Sequence, residues 1–169
     1  ALLEELTWAG IDMVSRANNH TGDYGVEGQR LTTRYVDEAG LVHAGAGESL
    51  AEAREARFLE TARGRVAIIS MASTFPEHSR AGEARGSMRS RPGLSPLRYT
   101  TTRAASAGQI DRLGGALEAV GIRFKRTESG AQALGTVFVE GRGPGVITTP
   151  NSDDLAEIAA VVNNASRLA

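Results

Sequence analysis

At 169 residues, with 41% hydrophobic and 23% charged residues, the chain has an ordinary globular composition and is long enough to bury a core in one domain. A net charge of −1 supplies no global field toward nucleic acid, and no apolar run reaches the roughly 18 residues a transmembrane helix needs. Zero cysteines exclude disulfides, thiolate zinc sites and cysteine nucleophiles.

Residues 1–10 read as the end of a helix closed by Gly10, and residues 11–17 as a buried strand. A polar loop, 18–25, follows. Residues 26–39 predict a helix with Leu31, Tyr35, Val36 and Ala39 on one face and Gly40 past its end. Leu41 to Ala44 reads as a short strand, Gly45-Ala46-Gly47 as a tight turn, and 50–56 as a short helix. Residues 58–61 and 66–71 fit a hairpin, and the unbroken apolar character of the second run predicts a central strand. Residues 74–104 lack periodicity and hold Pro76, Pro92, Pro96 and six arginines, which predicts a long surface loop. Residues 106–120 read as a helix, and 122–147 as β-like pieces between glycine-rich turns. Asn151 or Ser152 starts a last helix, with Asp153 and Asp154 in its first turn and an apolar stripe of Leu155, Ile158, Ala159 and Val162. No strand follows that helix in these residues, so the stripe is expected to lie exposed.

The candidate chemistry lies at Asn18-Asn19-His20, where a strand ends and a loop begins. An amide oxygen and an imidazole nitrogen are both plausible metal or phosphate partners. The alternative is an Asn-capped polar turn. Asn18 is expected to shape the loop, Asp23 to cap the following helix, and Tyr24 to pack. His43 is expected to be a half-buried, satisfied histidine, and His78 has no partner motif. The arginines at 80, 85, 89, 91, 98 and 103 could bind a polyanion, or could decorate a solvated, mobile loop.

Ala17-Asn18-Asn19-His20 with Asp23-Tyr24-Gly25, an amphipathic helix and Ala44-Gly45-Ala46-Gly47 resembles the CapA-type capsule (poly-γ-glutamate) synthesis proteins, relatives of the calcineurin-like metallophosphoesterases. The resemblance continues through Leu50 to Arg54, the strand from Val66 to Ser70, and Arg91 to Arg98; it is carried by residues 1–103 and only weakly by 104–169. It implies an α/β fold, a partial four-layer α/β/β/α metallophosphoesterase-like sandwich. It also implies a metal-binding role for Asn19 and a catalytic role for His20 near the scissile phosphate. The divalent ions implied for the intact protein are of the Mn, Fe, Zn or Ca class.

The superfamily's Asp-x-His, Gly-Asp-x-x-Asp and Gly-His-x-His blocks are absent from these residues, and only His20, His43 and His78 are present. The chain therefore reads as a single incomplete CapA-like domain over 1–169: an α/β core over 1–75, the Arg/Pro/Gly-rich loop over 76–104, and an α/β continuation over 105–169. On this reading it binds no metal tightly by itself. Its partners are the missing N- and C-terminal segments of the same domain and an anionic polymer or phosphoester substrate, with no nucleic acid and no membrane span. Three functions follow: part of a metal-dependent hydrolase, a non-enzymatic polymer- or partner-binding module in envelope assembly, or an incomplete product without activity.

Overall fold

The computed structural model describes residues 2–169 and has a mixed α/β architecture. In chain order the elements are α1 (Leu2–Trp8), β1 (Met13–Ser15), α2 (Gly25–Glu38), β2 (Val42–Ala44), β3 (Ala46–Gly47), α3 (Leu50–Arg54), β4 (Arg57–Thr61) and β5 (Gly64–Ile68). After a short 3-10 turn at Glu77–Ser79 come β6 (Gly93–Leu94), β7 (Tyr99–Ala105) and α4 (Ala107–Ala119). The last elements are β8 (Phe124–Thr127), β9 (Gly130–Ala133), β10 (Thr136–Glu140), β11 (Gly145–Pro150) and α5 (Ser152–Ala165). The chain divides into two compact units, one of residues up to Arg98 together with Ser152–Ala169, the other Tyr99–Asn151. Among the described residues, no helix is long and apolar enough to cross a membrane.

In the first unit, β1 pairs with β2 in parallel, Met13 opposite Val42 and Ser15 opposite Ala44. A parallel pair needs a crossover of a dozen or more residues, and the 14-residue α2 supplies it. Its end is closed by backbone bonds from Gly40 N–H to Asp37 O and from Leu41 N–H to Val36 O, with Leu41 buried behind them. The inward face differs from the apolar stripe expected. Gln29 and Val36 are buried, while Tyr35 is 48% exposed. The Gln29 side-chain amide donates to Gly47 O at 3.0 Å, so a polar strut occupies the place of an aliphatic contact.

Four further expectations are corrected. Ala46–Gly47 is a strand paired antiparallel to β6 in the core, with Gly45 ahead of it as the turn residue. The β4–β5 hairpin forms as expected, but β5 is not central. Among the described residues it pairs with β4 alone, and Val66 is 48% exposed. An apolar run shows that both faces of a strand tolerate burial; it does not supply a second neighbour.

The segment over 74–104 is not a surface loop throughout. Its distal part from Tyr99 is strand β7, and Ser79, Ala81, Leu94, Ser95 and Pro96 are buried. Backbone bonds from Ala81 N–H to Leu94 O (2.9 Å), Ser95 N–H to Gly45 O (2.9 Å) and Leu97 N–H to Ala72 O (2.8 Å) tie it down. Gly93 passes so close to the 79–81 backbone that a Cβ would lie 2.4 Å from Ala81 N. Glycine and proline serve here as close-packing residues, which is why the segment shows no periodicity.

The last helix is docked, on a face rotated from the expected stripe. Asp154, Ile158 and Ala165 turn inward, while Leu155 and Val162 stay 47% and 46% exposed. Asp154 is 1% exposed and takes hydrogen bonds from Arg54 of α3, from the Arg98 backbone N–H (2.9 Å) and from Arg98 Nε (2.7 Å). Arg54, 5% exposed, also pairs with Glu157. In the second unit the strand order is β11-β7-β10-β9-β8, with β7–β10 parallel and the other pairs antiparallel. Helix α4 packs over β8, β9 and β10, with its own Ile110 fully buried.

Burial pushes the Asp154 carboxyl up, but the hydrogen bonds from Arg98 and then Arg54 more than reverse this and hold it at about 2. A carboxyl depressed on folding stabilises the fold above its ordinary value of 3.8, and that contribution is lost as pH falls through about 2. Acid unfolding is therefore expected to remove about 2 kcal/mol of stability across that interval. Asp154→Asn, which removes the carboxylate shared by Arg54 and Arg98 and leaves Arg54 with Glu157 alone, is expected to cost roughly 1.5–3 kcal/mol in urea unfolding at neutral pH. Equal stability of variant and parent at neutral pH, or parallel acid profiles, would contradict this role.

Candidate functional site

Strand β1 ends at Ser15, and residues 16–24 turn the chain into α2. The turn is held by its own side chains. The Asn18 side-chain oxygen accepts from His20 N–H at 2.8 Å, an Asx-type closure. Thr21 Oγ1 donates to Arg16 O at 2.6 Å and accepts from Asn18 N–H at 3.2 Å. Asn18 thus has the loop-shaping position expected of it. The neighbouring loop after β2 presses against this turn: at Gly45 (φ +100°) a Cβ would lie 2.8 Å from Ala17 N and 2.6 Å from Ser70 Oγ. Ser70 in turn shares a 2.6 Å hydrogen bond with Ser15 Oγ, joining the end of β1 to the residues after β5.

Within this frame Asn19, His20 and Asp23 form a short row. His20 Nδ1 lies 2.8 Å from Asp23 Oδ2, and His20 Nε2 lies 3.1 Å from Asn19 Nδ2. With the Asn19 amide donating, Nε2 is the acceptor and Nδ1–H donates to Asp23 Oδ2. The row is open to water, the His20 and Asp23 side chains being 73% and 49% exposed. Asp23 therefore does not cap the helix. Tyr24 is the residue ahead of α2, and no side-chain cap bond forms there, because the Asp23 carboxylate faces the imidazole instead. Tyr24 does not pack into the core either; it is 89% exposed.

Behind the row sits a residue that sequence reasoning missed. Arg16 is 7% exposed, with Nη1 donating to Thr33 Oγ1 at 2.6 Å and Nη2 to Gln29 O at 3.0 Å. Burial pushes its guanidinium pKa down, and the charge of Asp37 partly offsets this. Arg16, Asn18, His20, Thr21, Ser15 and Thr32 help to wall a cavity of about 280 Å³; Asn19 is not among its walls. The signal available in the sequence was spacing: Arg16 precedes His20 by four residues, and Asp23 follows it by three, inside one tight turn.

The other two histidines lie elsewhere. His43 Nε2 is 3.0 Å from Asp37 Oδ1, and its side chain is 12% exposed. It is paired as expected at that nitrogen, whereas Nδ1 is buried without a partner. It lines a different cavity, of about 560 Å³, with Asp37, Glu52, Glu55, Arg57 and Phe58 among its other walls. His78 is exposed in the 3-10 turn. Among the described residues, no group of three or more His, Asp or Glu side chains is arranged to hold a metal ion.

Against known proteins, the family described as "Bacterial capsule synthesis protein PGA_cap" matches residues 1–165, nearly the whole chain. The chain belongs to this capsule synthesis family. Two curated relatives in Sinorhizobium fredii (strain NBRC 101917 / NGR234), named uncharacterized proteins y4sH and y4uA, are each 40% identical over 157 residues. The match covers 91% of this chain and 34% of each relative, so the chain spans about a third of their length. The Asn18-Asn19-His20 turn, the Gly45 contact and the buried 93–96 segment all fall within the family match.

The different work done by the two asparagines is open to measurement. Asn18→Ala removes the acceptor that closes the turn and is expected to cost about 1 kcal/mol of unfolding free energy. Asn19→Ala touches an exposed, solvated contact and is expected to change stability by less than about 0.5 kcal/mol. Denaturant unfolding of the two variants side by side checks this; equal losses would mean that the turn does not depend on Asn18.

Proposed function

We propose that this chain is part of a capsule-synthesis protein with a metallophosphoesterase-like α/β sandwich. Its intact form hydrolyses a phosphoester or a related bond with divalent metals. Asn19 joins the metal shell, and His20 acts at the leaving oxygen. The observation that carries this reading is the Asp23–His20–Asn19 row at the carboxyl end of β1, a parallel strand, with buried Arg16 on the same cavity. With the proton on Nδ1 facing Asp23, Nε2 is the acceptor, a place that the Asn19 amide fills in this structure. An imidazole held in this way can take up a proton or, once charged, give one to a departing oxygen. The Arg16 charge favours a negatively charged substrate group in the cavity.

The metal shell is not complete in these residues. The turn offers the Asn19 amide oxygen, the His20 imidazole and the Asp23 carboxylate already bonded to it, whereas two-metal hydrolysis draws on several carboxylates and histidines from separate loops. These residues alone do not fit a two-metal centre. In this reading the missing donors belong to N- and C-terminal segments of the same domain, in keeping with the one-third share of the relatives' length.

The test uses the full-length protein, bis(p-nitrophenyl) phosphate as probe, and metal content by mass spectrometry. His20→Ala is expected to lower turnover by about 10²–10⁴-fold with bound metal retained. Asn19→Ala is expected to lower metal content as well. Unchanged metal content and turnover in both variants would remove the hydrolase reading.

A second reading, a non-enzymatic module for an anionic polymer, is favoured by one observation. The 82–91 segment is a hairpin bridged at Gly82–Arg91 and Arg85–Met88, and it carries exposed Arg85, Arg89 and Arg91 without a carboxylate partner among the described residues. Arg80 and Arg98, by contrast, are engaged with Glu77 and Asp154. Replacing Arg85, Arg89 and Arg91 with alanine is expected to abolish binding of polyglutamate at low ionic strength, with hydrolase activity and metal content retained. Polyglutamate binding that is absent in the parent, or the same in parent and triple variant, rules the hairpin out as a polymer site.

A further inference from the structure

We propose that a cleft beside α4, within the 99–151 unit, binds a small carboxylate with an apolar body. Strand pairing sets Val146, Arg103, Phe138 and Ala131 in one row across β11, β7, β10 and β9, on one face of the sheet. Helix α4 covers that face over β8, β9 and β10, so Ala131 is fully buried while Val146, at the other end of the row, is 61% exposed. The uncovered end forms a cleft of about 460 Å³, in the size range of small-molecule sites. Its apolar walls include Ile110 and Leu113 of α4, Phe138 of β10 and Val146 of β11.

The polar side chains on the cleft, Arg103 and Gln109, are both donors there. Gln109 Oε1 is already used, accepting from Ser106 N–H at 2.9 Å and from Ser106 Oγ at 3.1 Å, which leaves its amide N–H groups to donate. Arg103 has no carboxylate partner among the described residues, and no acidic side chain lines the cleft. An apolar floor with a guanidinium and an amide donor at its edge is complementary to a carboxylate on a hydrocarbon or aryl body, and repels an amine. The cleft uses none of the residues of the Asn18–His20 turn, so its occupancy and the hydrolase reading stand or fall separately.

The experiment is calorimetric titration of the full-length protein with hydrocinnamate, hydrocinnamyl alcohol and phenylpropylamine. Hydrocinnamate is expected to bind saturably at one site, the alcohol about tenfold more weakly, and the amine not at all. Arg103→Met is expected to weaken hydrocinnamate about tenfold, leave the alcohol unchanged, and be rescued by Arg103→Lys. Val146→Glu, at an exposed edge position, is expected to abolish hydrocinnamate binding with an unchanged melting temperature. The proposal is overturned if hydrocinnamate shows no saturable binding, if acid and alcohol bind alike in parent and Arg103→Met, or if a folded Val146→Glu protein binds as the parent does.

Discussion

The first unit depends on one buried carboxylate. Asp154, at the start of the last helix, is closed off from water and receives the guanidinium groups of Arg54 and Arg98. A buried ion pair adds little over a well-packed apolar contact, but it is directional, and removing one partner strands the other charge. That directionality sets the rotation of α5. It brings Ile158 inward and leaves Leu155 and Val162 near the surface, against the simple logic of the apolar stripe. The same interaction fixes α3 through Arg54 and the 91–98 segment through Arg98.

From there the packing leads to the candidate site by contacts rather than by sequence neighbours. Helix α3 lies against β3, and β3 pairs with β6, which is buried against the 79–81 backbone. Gly45 precedes β3 and touches both Ala17 and Ser70. The Asn18-Asn19-His20 turn is thus braced from behind by glycine-rich backbone at a separation too small for side chains. The segment over 74–98, irregular in sequence, is part of this brace.

Helix α2 is tied to the strands and turns around it by polar struts. Gln29 reaches Gly47, Arg16 reaches Thr33 and the Gln29 carbonyl, and Asp37 meets His43. In a partly water-excluded layer, hydrogen bonds of this kind specify one arrangement more sharply than aliphatic contacts do. They also place a buried cation, Arg16, on the cavity that His20 opens into. The candidate site therefore combines a rigid turn, an oriented imidazole and a fixed positive charge.

Local rules determined much of this from the residues alone. The strand before the Asn-Asn-His turn, the crossover helix after it, the β4–β5 hairpin, α4 and α5 were all readable, because periodicity and end signals act over a few residues. So was the family, through the motif around Asn19 and His20. What tertiary structure decided were the pairings between distant residues: Asp154 with Arg54, Gly93 with the 79–81 backbone, Gly45 with Ala17. The same holds for the placement of Arg16 behind the turn and the turning of Asp23 to His20 in place of the helix end. A side chain's burial and charge partner depend on which segments meet in space, and hydrophobic periodicity carries no record of that when the contact is made by a carboxylate, a guanidinium or a bare glycine.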